Sequence, residues 1–166
     1  MTGGPASVEV AFGLGSNVGN KADNIAKGLR VLEAAGIARD LRRSSLYRTP
    51  PWGPVPQDWY VNACAVGITD LEPLDLLRRI KAAEVALGRF ETERWGPRVI
   101  DIDVLYYGDV ALRVPHLTLP HAEMMNRAFV LVPLAELRPD RIVGGRKIAE
   151  AALAADRTGV ERLSQD

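Results

Sequence analysis

The stretch "GPRVIDIDVLYYG", Gly96 to Gly108, is a run of β-formers that carries two aspartates, Asp101 and Asp103, with one isoleucine between them. Aspartate is depleted in strands, so a pair in one strand demands a reason. In an extended chain residues two apart share a face. Val99, Asp101, Asp103 and Leu105 therefore point one way, and Ile100, Ile102 and Val104 the other. The carboxylates then stand about 6–7 Å apart along the strand. If that face meets water, the acids are the polar half of an alternating strand, and the strand alone favours this reading. If it lines a cleft, mutual repulsion and desolvation call for a cation. Mg²⁺ suits such a place, because it takes one or two carboxylates together with substrate phosphates.

The residues just before the strand favour the cleft. Arg89, Arg94 and Arg98 fall within ten residues, beside Trp95, Gly96 and Pro97. Guanidinium forks bind phosphate oxygens bidentately, and a Gly-containing loop can fold them over a ligand. As solvated loop charges they would pair with Glu91 and Glu93, but that leaves the adjacent aspartates unexplained. Cations for phosphate beside carboxylates for Mg²⁺ are what a nucleoside triphosphate site requires.

Further out, the chain alternates strands and helices. "VEVAFGLGSN" begins as a strand, Val8 to Phe12, and is expected to end in a Gly-rich turn at Gly13 and Gly15. "KADNIAKGLRVLEAAG" has Ile25, Leu29 and Leu32 at helical spacing and stops at Gly36. "ARDLRRSSLYRT" reads as one strand, "PPWGPVPQDW" as an extended Pro-rich loop and "YVNACAVGIT" as another strand. Asp70, Glu72 and Pro73 start the helix "LDLLRRIKAAEVALG", which stops at Gly88. After the acidic strand and a turn at Gly108 and Asp109, "PHLTLPHAEMMNRAFVLVPLAEL" reads as a short strand followed by short helical pieces, and "KIAEAALAA" as a last short helix. The order β-α-β-β-α-β with C-terminal additions predicts an α+β fold, a ferredoxin-like sandwich with a mainly antiparallel sheet flanked by helices. A single domain over residues 1–166 is expected, with residues 1–7 a loose extension.

Composition narrows the function. Of 166 residues 47% are hydrophobic and 25% charged, as in ordinary globular proteins, and 21 basic residues balance 21 acidic ones. Zero net charge gives no general attraction for nucleic acid or an anionic membrane. The lone Cys64, in an apolar run, reads as a small core residue, which excludes disulfides and cysteine-based zinc sites. No apolar stretch reaches a membrane span, and the N-terminus lacks signal-peptide character, so a cytoplasmic location is the default expectation.

Other residues suggest a ligand. Tyr60 and Asn62, two apart in a strand, would offer an aromatic plane and an amide to a flat heterocycle, with Phe129 as a second plane; the rings alone favour core packing, while the amide beside them is harder to explain that way. His121 and Arg127 lie in "LPHAEMMNR", near His116, where a lone histidine is more often structural. Glu84 shares a helical face with Leu77, Ile80 and Leu87, so it sits either at the solvent edge, the commoner outcome, or buried with a partner. "GLGSN" with Gly19 spells G-x-G-x-x-x-G, which is not the dinucleotide fingerprint, and a Walker lysine is absent.

In order and spacing, "GLGSN", "SLYRTPPWG", "YVNACAV", "GRFETERWGPRVIDIDVLYYG" and "LPHAEMMNRAFVLVPL" resemble 6-hydroxymethyl-7,8-dihydropterin pyrophosphokinase of the folate pathway, from about Val8 to Leu137. The resemblance implies a cytosolic enzyme that moves the β,γ-diphosphate of ATP to the pterin's hydroxymethyl oxygen and releases AMP; a monomer is expected. It implies that Asp101 and Asp103 hold two Mg²⁺ ions, that Tyr60 and Phe129 stack the pterin and that Asn62 reads it. Thr49, Pro50, Pro51 and Trp52 complete that pocket. It gives ATP contacts to Glu84, Arg89, Arg94, Trp95, Arg98, His121 and Arg127, with Arg89 and Arg94 catalytic beside the aspartates, and sets Gly15 and Asn17 at the floor. The Arg89–Arg98 loop is expected to move and to close over ATP, excluding water. Glu91 and Ala122 stand where some relatives carry a basic and an aromatic residue. A two-metal phosphodiesterase could also use the aspartates, but it would be expected to carry more carboxylate or His ligands and a basic track. A non-catalytic nucleotide-binding module would bind ATP without pterin dependence.

Overall fold

The computed structural model describes residues 7–51, 54, 56–88 and 99–163. Strand β1 (Val8–Ser16) leads through an Asn20-capped turn into helix α1 (Lys21–Ala34). Strands β2 (Arg39–Arg43) and β3 (Tyr47–Thr49) precede the long β4 (Tyr60–Thr69), helix α2 (Pro73–Ala86) and β5 (Asp101–Tyr107). The hairpin β6 (Leu112–Val114) and β7 (Leu117–Leu119) follows, then a 3-10 turn Met124–Asn126 and helix α3 (Ala128–Leu137). A small hairpin, β8 (Ile142–Val143) and β9 (Arg146–Lys147), leads to α4 (Ile148–Ala154) and a last strand, β10 (Glu161–Arg162).

The main sheet is antiparallel in every pair, with order β10-β3-β4-β1-β5 and β2 beside β4. Because β2 and β3 follow each other along the same edge of β4, they amount to one interrupted strand, and the expected βαββαβ order holds. The single strand expected from Ala38 to Thr49 is broken at Ser44–Leu46. There the pairing passes to a side chain: Ser44 N–H donates to the Cys64 carbonyl at 2.8 Å, and Ser44 Oγ accepts from Cys64 N–H at 2.9 Å.

Two further expectations are corrected. β1 does not turn at Gly13 but runs on to Ser16, because its glycines are paired on both sides, with β4 and with β5. A central position in the sheet overrides glycine's poor strand propensity. The segment after Gly108 forms a two-stranded hairpin instead of one short strand, and α3 is a ten-residue helix.

The sheet is covered on both faces. On one, Phe12, Leu14, Ala65, Ile102 and Val104 meet Ile25 and Leu32 of α1 and Leu76 and Ile80 of α2 in a single buried cluster. Gly28 lets α1 lie close, since a Cβ there would already touch Leu14 at 3.4 Å and Ile100 at 3.6 Å. On the other, Ala11, Cys64, Val66, Leu105 and Tyr106 meet Leu131 and Leu134 of α3 and Ile148 and Ala151 of α4. A bulge opposite Ala11 and Phe12 leaves Leu105 as the extra residue, so that Leu105 and the following Tyr106 both enter this second cluster. Cys64 is buried there, its Sγ 3.4 Å from the Val130 carbonyl, as a small core residue.

Glu136 ties α3 to the interrupted edge: its carboxylate accepts from Ser45 N–H at 2.8 Å and from the Tyr47 hydroxyl. Partial burial pushes this carboxyl up, but the Tyr47 and Ser45 hydrogen bonds outweigh burial and hold it below the ordinary glutamate value. A depressed folded-state pKa contributes stability above the unfolded value of about 4.3, and that stability is lost as pH falls through the folded one. Glu136→Gln is therefore expected to lower the urea midpoint at pH 7 and to flatten its decline below about pH 4.5. An acid limb identical to that of the parent chain would refute this.

Candidate active site

Paired residues in an antiparallel sheet point to the same face, so the register builds the site. Asn62 of β4 pairs with Gly15 of β1, and Gly15 pairs with Asp101 of β5. One step along, Cys64, Gly13 and Asp103 form the next row on that face. On the far side of β4, Tyr60 pairs with Thr49 and Asn62 with Tyr47. An amide and an aromatic ring thus stand on one side of a bare glycine strip, and two carboxylates on the other, about 10 Å apart across two strand spacings.

The strip is bare for a reason. A Cβ on Gly15 would lie 2.6 Å from Asn62 Oδ1 and 3.6 Å from the Tyr60 ring, so both side chains lean over a space that any other residue would fill. Asn62 Nδ2 donates to Thr49 Oγ1 at 2.6 Å, which fixes the amide's orientation, and Thr49 itself is buried. Tyr60 is half-buried at the start of β4. Pro50 and Pro51 continue from Thr49 and are exposed. Asn17 forms no part of the strip: it is buried and latches the loop before Tyr60, donating to Gln57 Oε1 at 2.6 Å and to the Asp58 carbonyl at 3.3 Å.

Asp103 opens to solvent at the wall of a depression, while Asp101 is half-buried. Crowding by the surrounding protein, followed by the neighbouring Asp101 charge, pushes the Asp103 carboxyl up to about 6; Lys81 and Arg127 pull the other way. Two carboxylates at such a position, without a third acid, His or Cys in a metal-binding group among the described residues, fit a hard cation that draws its other oxygens from water or phosphate.

The depression beside Asp103 encloses about 310 Å³ between α2 and the β6–β7 hairpin. Leu77 and Lys81 line one wall, Thr118, His121 and Ala122 the other, and His116 also reaches it. His121 Nδ1 accepts the Glu123 N–H at 3.1 Å, which puts the ring proton on Nε2. Burial, then the Arg127 charge, lower its pKa, so at neutral pH it is an uncharged donor. The Arg127 guanidinium lies 5.7 Å from the Phe129 ring centre, at the start of α3.

Glu84 is the residue that the sequence placed wrongly when it favoured the solvent edge. It is 1% exposed, accepts the Ile102 N–H at 2.7 Å and pairs with Lys81 Nζ at 3.3 Å. β5 is the edge of the sheet, and Glu84 caps the outward backbone donor midway between the two aspartates. Its charge is buried because that donor and a lysine satisfy it. Lys81 went unnoticed in the sequence; its signal was the i, i+3 spacing to Glu84. Of the expected contacts, Trp52, Arg89, Arg94, Trp95 and Arg98 lie outside the described residues.

Comparison with known proteins decides the family. The sequence model of 7,8-dihydro-6-hydroxymethylpterin-pyrophosphokinase (HPPK) matches residues 11–139. The chain belongs to this family. It is 48% identical over 152 residues to the 2-amino-4-hydroxy-6-hydroxymethyldihydropteridine pyrophosphokinase of Methylorubrum extorquens, covering 92% of this chain and 96% of that one. The Pseudomonas aeruginosa protein of the same name is 42% identical, over 93% and 96% of the two chains. A crystal structure of wild-type Plasmodium falciparum HPPK-DHPS with pteroate superposes with a TM-score of 0.73 at 15% identity, covering 92% of this chain and 43% of that one. That likeness supports the fold, and the chain spans less than half the length of such solved chains.

Within the HPPK fold, capping of the acidic strand is open to a direct check. Glu84→Ala leaves the Ile102 N–H without this acceptor and is expected to destabilise the chain by about 1–3 kcal/mol in urea unfolding. Glu84→Gln, which keeps an acceptor oxygen, should recover part of that loss. Equal stability of Glu84→Ala and the parent would show that the cap carries no weight.

Proposed function

We propose that this chain transfers the β,γ-diphosphate of ATP to the hydroxymethyl oxygen of 6-hydroxymethyl-7,8-dihydropterin, giving AMP and the pterin diphosphate in folate synthesis, and that it works as a single Mg²⁺-dependent pyrophosphokinase domain. The observation that carries the reading is the row Asn62–Gly15–Asp101 in a chain of the HPPK family: an oriented amide and an acidic strand stand on either side of a strand position that carries no side chain.

In this reading Tyr60 and Phe129 stack the pterin, Asn62 hydrogen-bonds its edge, and Thr49 to Trp52 close the pocket. ATP lies along the depression by Asp103, where Glu84 acts through the strand that it caps, and His121 Nε2–H and Arg127 meet the phosphates. Arg89, Arg94, Trp95 and Arg98 join them from the loop between α2 and β5. Asp101 and Asp103 would hold two Mg²⁺ ions, which when bound supply charge neutralisation and orientation of the phosphate chain. The pterin hydroxymethyl oxygen attacks the β-phosphorus in line and gives up its proton to solvent, the bond from that phosphorus to the α,β-bridging oxygen breaks, and AMP departs with the electron pair. Arg127 and the loop arginines stabilise the charge that develops. Binding the two substrates on one sheet face supplies proximity, and fixed side chains there need no reorganisation during transfer.

Incubation with MgATP and the dihydropterin should yield AMP in a pterin-dependent way. Asp101→Ala with Asp103→Ala should lose about three orders of magnitude or more in kcat, a loss of several kcal/mol in transition-state stabilisation. ADP or inorganic phosphate without pterin dependence would sink the assignment. Asn62→Ala is expected to raise the pterin KM about tenfold or more, with the ATP KM little changed, because it removes the reading amide together with its hydrogen bond to Thr49. Equal effects on the two substrates would contradict the division of the site.

A further inference from the structure

Strand β3 carries Thr49, whose hydroxyl orients Asn62, yet it is three residues long and would be the edge of the sheet if β10 did not lie beside it. β10 pairs Glu161 with Arg48 and Arg162 with Tyr47, and Leu163 N–H donates to the Leu46 carbonyl at 2.9 Å. The turn before β10 is ordered by its own bonds. The Asp156 carboxylate accepts from Thr158 N–H at 3.0 Å and from Thr158 Oγ1 at 2.6 Å, and Val160 N–H donates to the Arg157 carbonyl at 2.9 Å. At its tip Gly159 has a φ of +80°, and a Cβ there would lie 3.0 Å from both Cδ and Cγ of Pro50. The C-terminal segment thus touches the residue that follows Thr49 and also pairs with the two residues before it. All of it lies beyond residue 139, where the match to the family ends.

We infer that β10 and its Gly159 turn position the pterin side of the site, holding Thr49 and Pro50 so that Asn62 keeps its orientation over Gly15. The inference rests on the proposed assignment of Asn62 to the pterin. Gly159 and its neighbours are positioning residues that act through β3. Pairing on both sides restrains the short β3, and contact with Pro50 sets where the chain leaves it. A shift at Thr49 reaches Asn62 directly through their 2.6 Å hydrogen bond. Among the described residues, the acidic strand β5 of the ATP side lies four strands from β10 in the sheet order.

The test compares Gly159→Ala with Gly144→Ala in the full chain. Both glycines have positive φ, +80° and +59°, so both variants carry the strain of a left-handed residue, but nothing lies within 4 Å of a Cβ on Gly144. The readouts are the dissociation constants of the dihydropterin and of an ATP analogue, the melting temperature, and amide exchange at Arg48, Thr49 and Asn62. Gly159→Ala is expected to weaken pterin binding about three- to tenfold with ATP-analogue binding within about twofold, and to speed exchange at those three amides. Gly144→Ala should lower the melting temperature comparably and leave both affinities unchanged. Unchanged pterin affinity in Gly159→Ala, or equal weakening of both ligands, would overturn the positioning role. Failure of the parent chain itself to bind the dihydropterin would instead overturn the assignment of the pterin site on which the inference rests.

Discussion

Between Asn62 and Asp101 there is a gap where β1 has no side chain, and the chemistry of the whole face depends on that gap. Gly13 and Gly15 are paired on both sides in the middle of the sheet, a position where glycine weakens a strand. The neighbouring strands supply the pairing that offsets this weakness, and α1 and α2 bury the opposite face beneath it. A methyl on Gly15 would meet the Asn62 oxygen at 2.6 Å and displace the amide that gives the site its directionality. The glycines therefore form a side-chain-free strip between the amide and the acidic strand.

Each flank of that floor is held from behind. On the acidic side, Glu84 reaches from α2 to the backbone between the aspartates, so the strand's geometry is set by a buried carboxylate that does not itself stand on the reactive face. On the amide side, Thr49 holds Asn62, and Glu136 from α3 holds the edge on which Thr49 sits. Two carboxylates on one strand face repel each other, and the buried cap fixes the backbone between them. Burial first, and then the Asp101 charge, raise the carboxyl of Asp103.

The α3 layer also serves the site in a way unrelated to its own polarity. It is strongly apolar, covering Cys64, Leu105 and Tyr106, yet Arg127 at its N-cap lies 5.7 Å from the Phe129 ring centre and close enough to Asp103 to pull its carboxyl down.

Much of this was legible in the sequence. The period-two placement of Asp101 and Asp103, and of Tyr60 and Asn62, assigned each pair to a single face, because side-chain alternation in a strand is local geometry. Element order followed from periodicity and from Gly and Pro punctuation, and the motif series pointed to the family. Other features depended on partners distant in sequence. Gly13 and Gly15 look like a turn until β4 and β5 pair with them. Glu84 looks like an edge residue until the Ile102 N–H, 18 positions on, arrives as its donor. The split of β2 from β3, the bulge at Leu105 and the contact of Gly159 with Pro50 are likewise settled by register and packing. The sequence by itself determined which residues share a face and which chemistry they carry; only the tertiary structure decided which faces meet, since burial, register and hydrogen-bond partners are properties of segments brought together from across the chain.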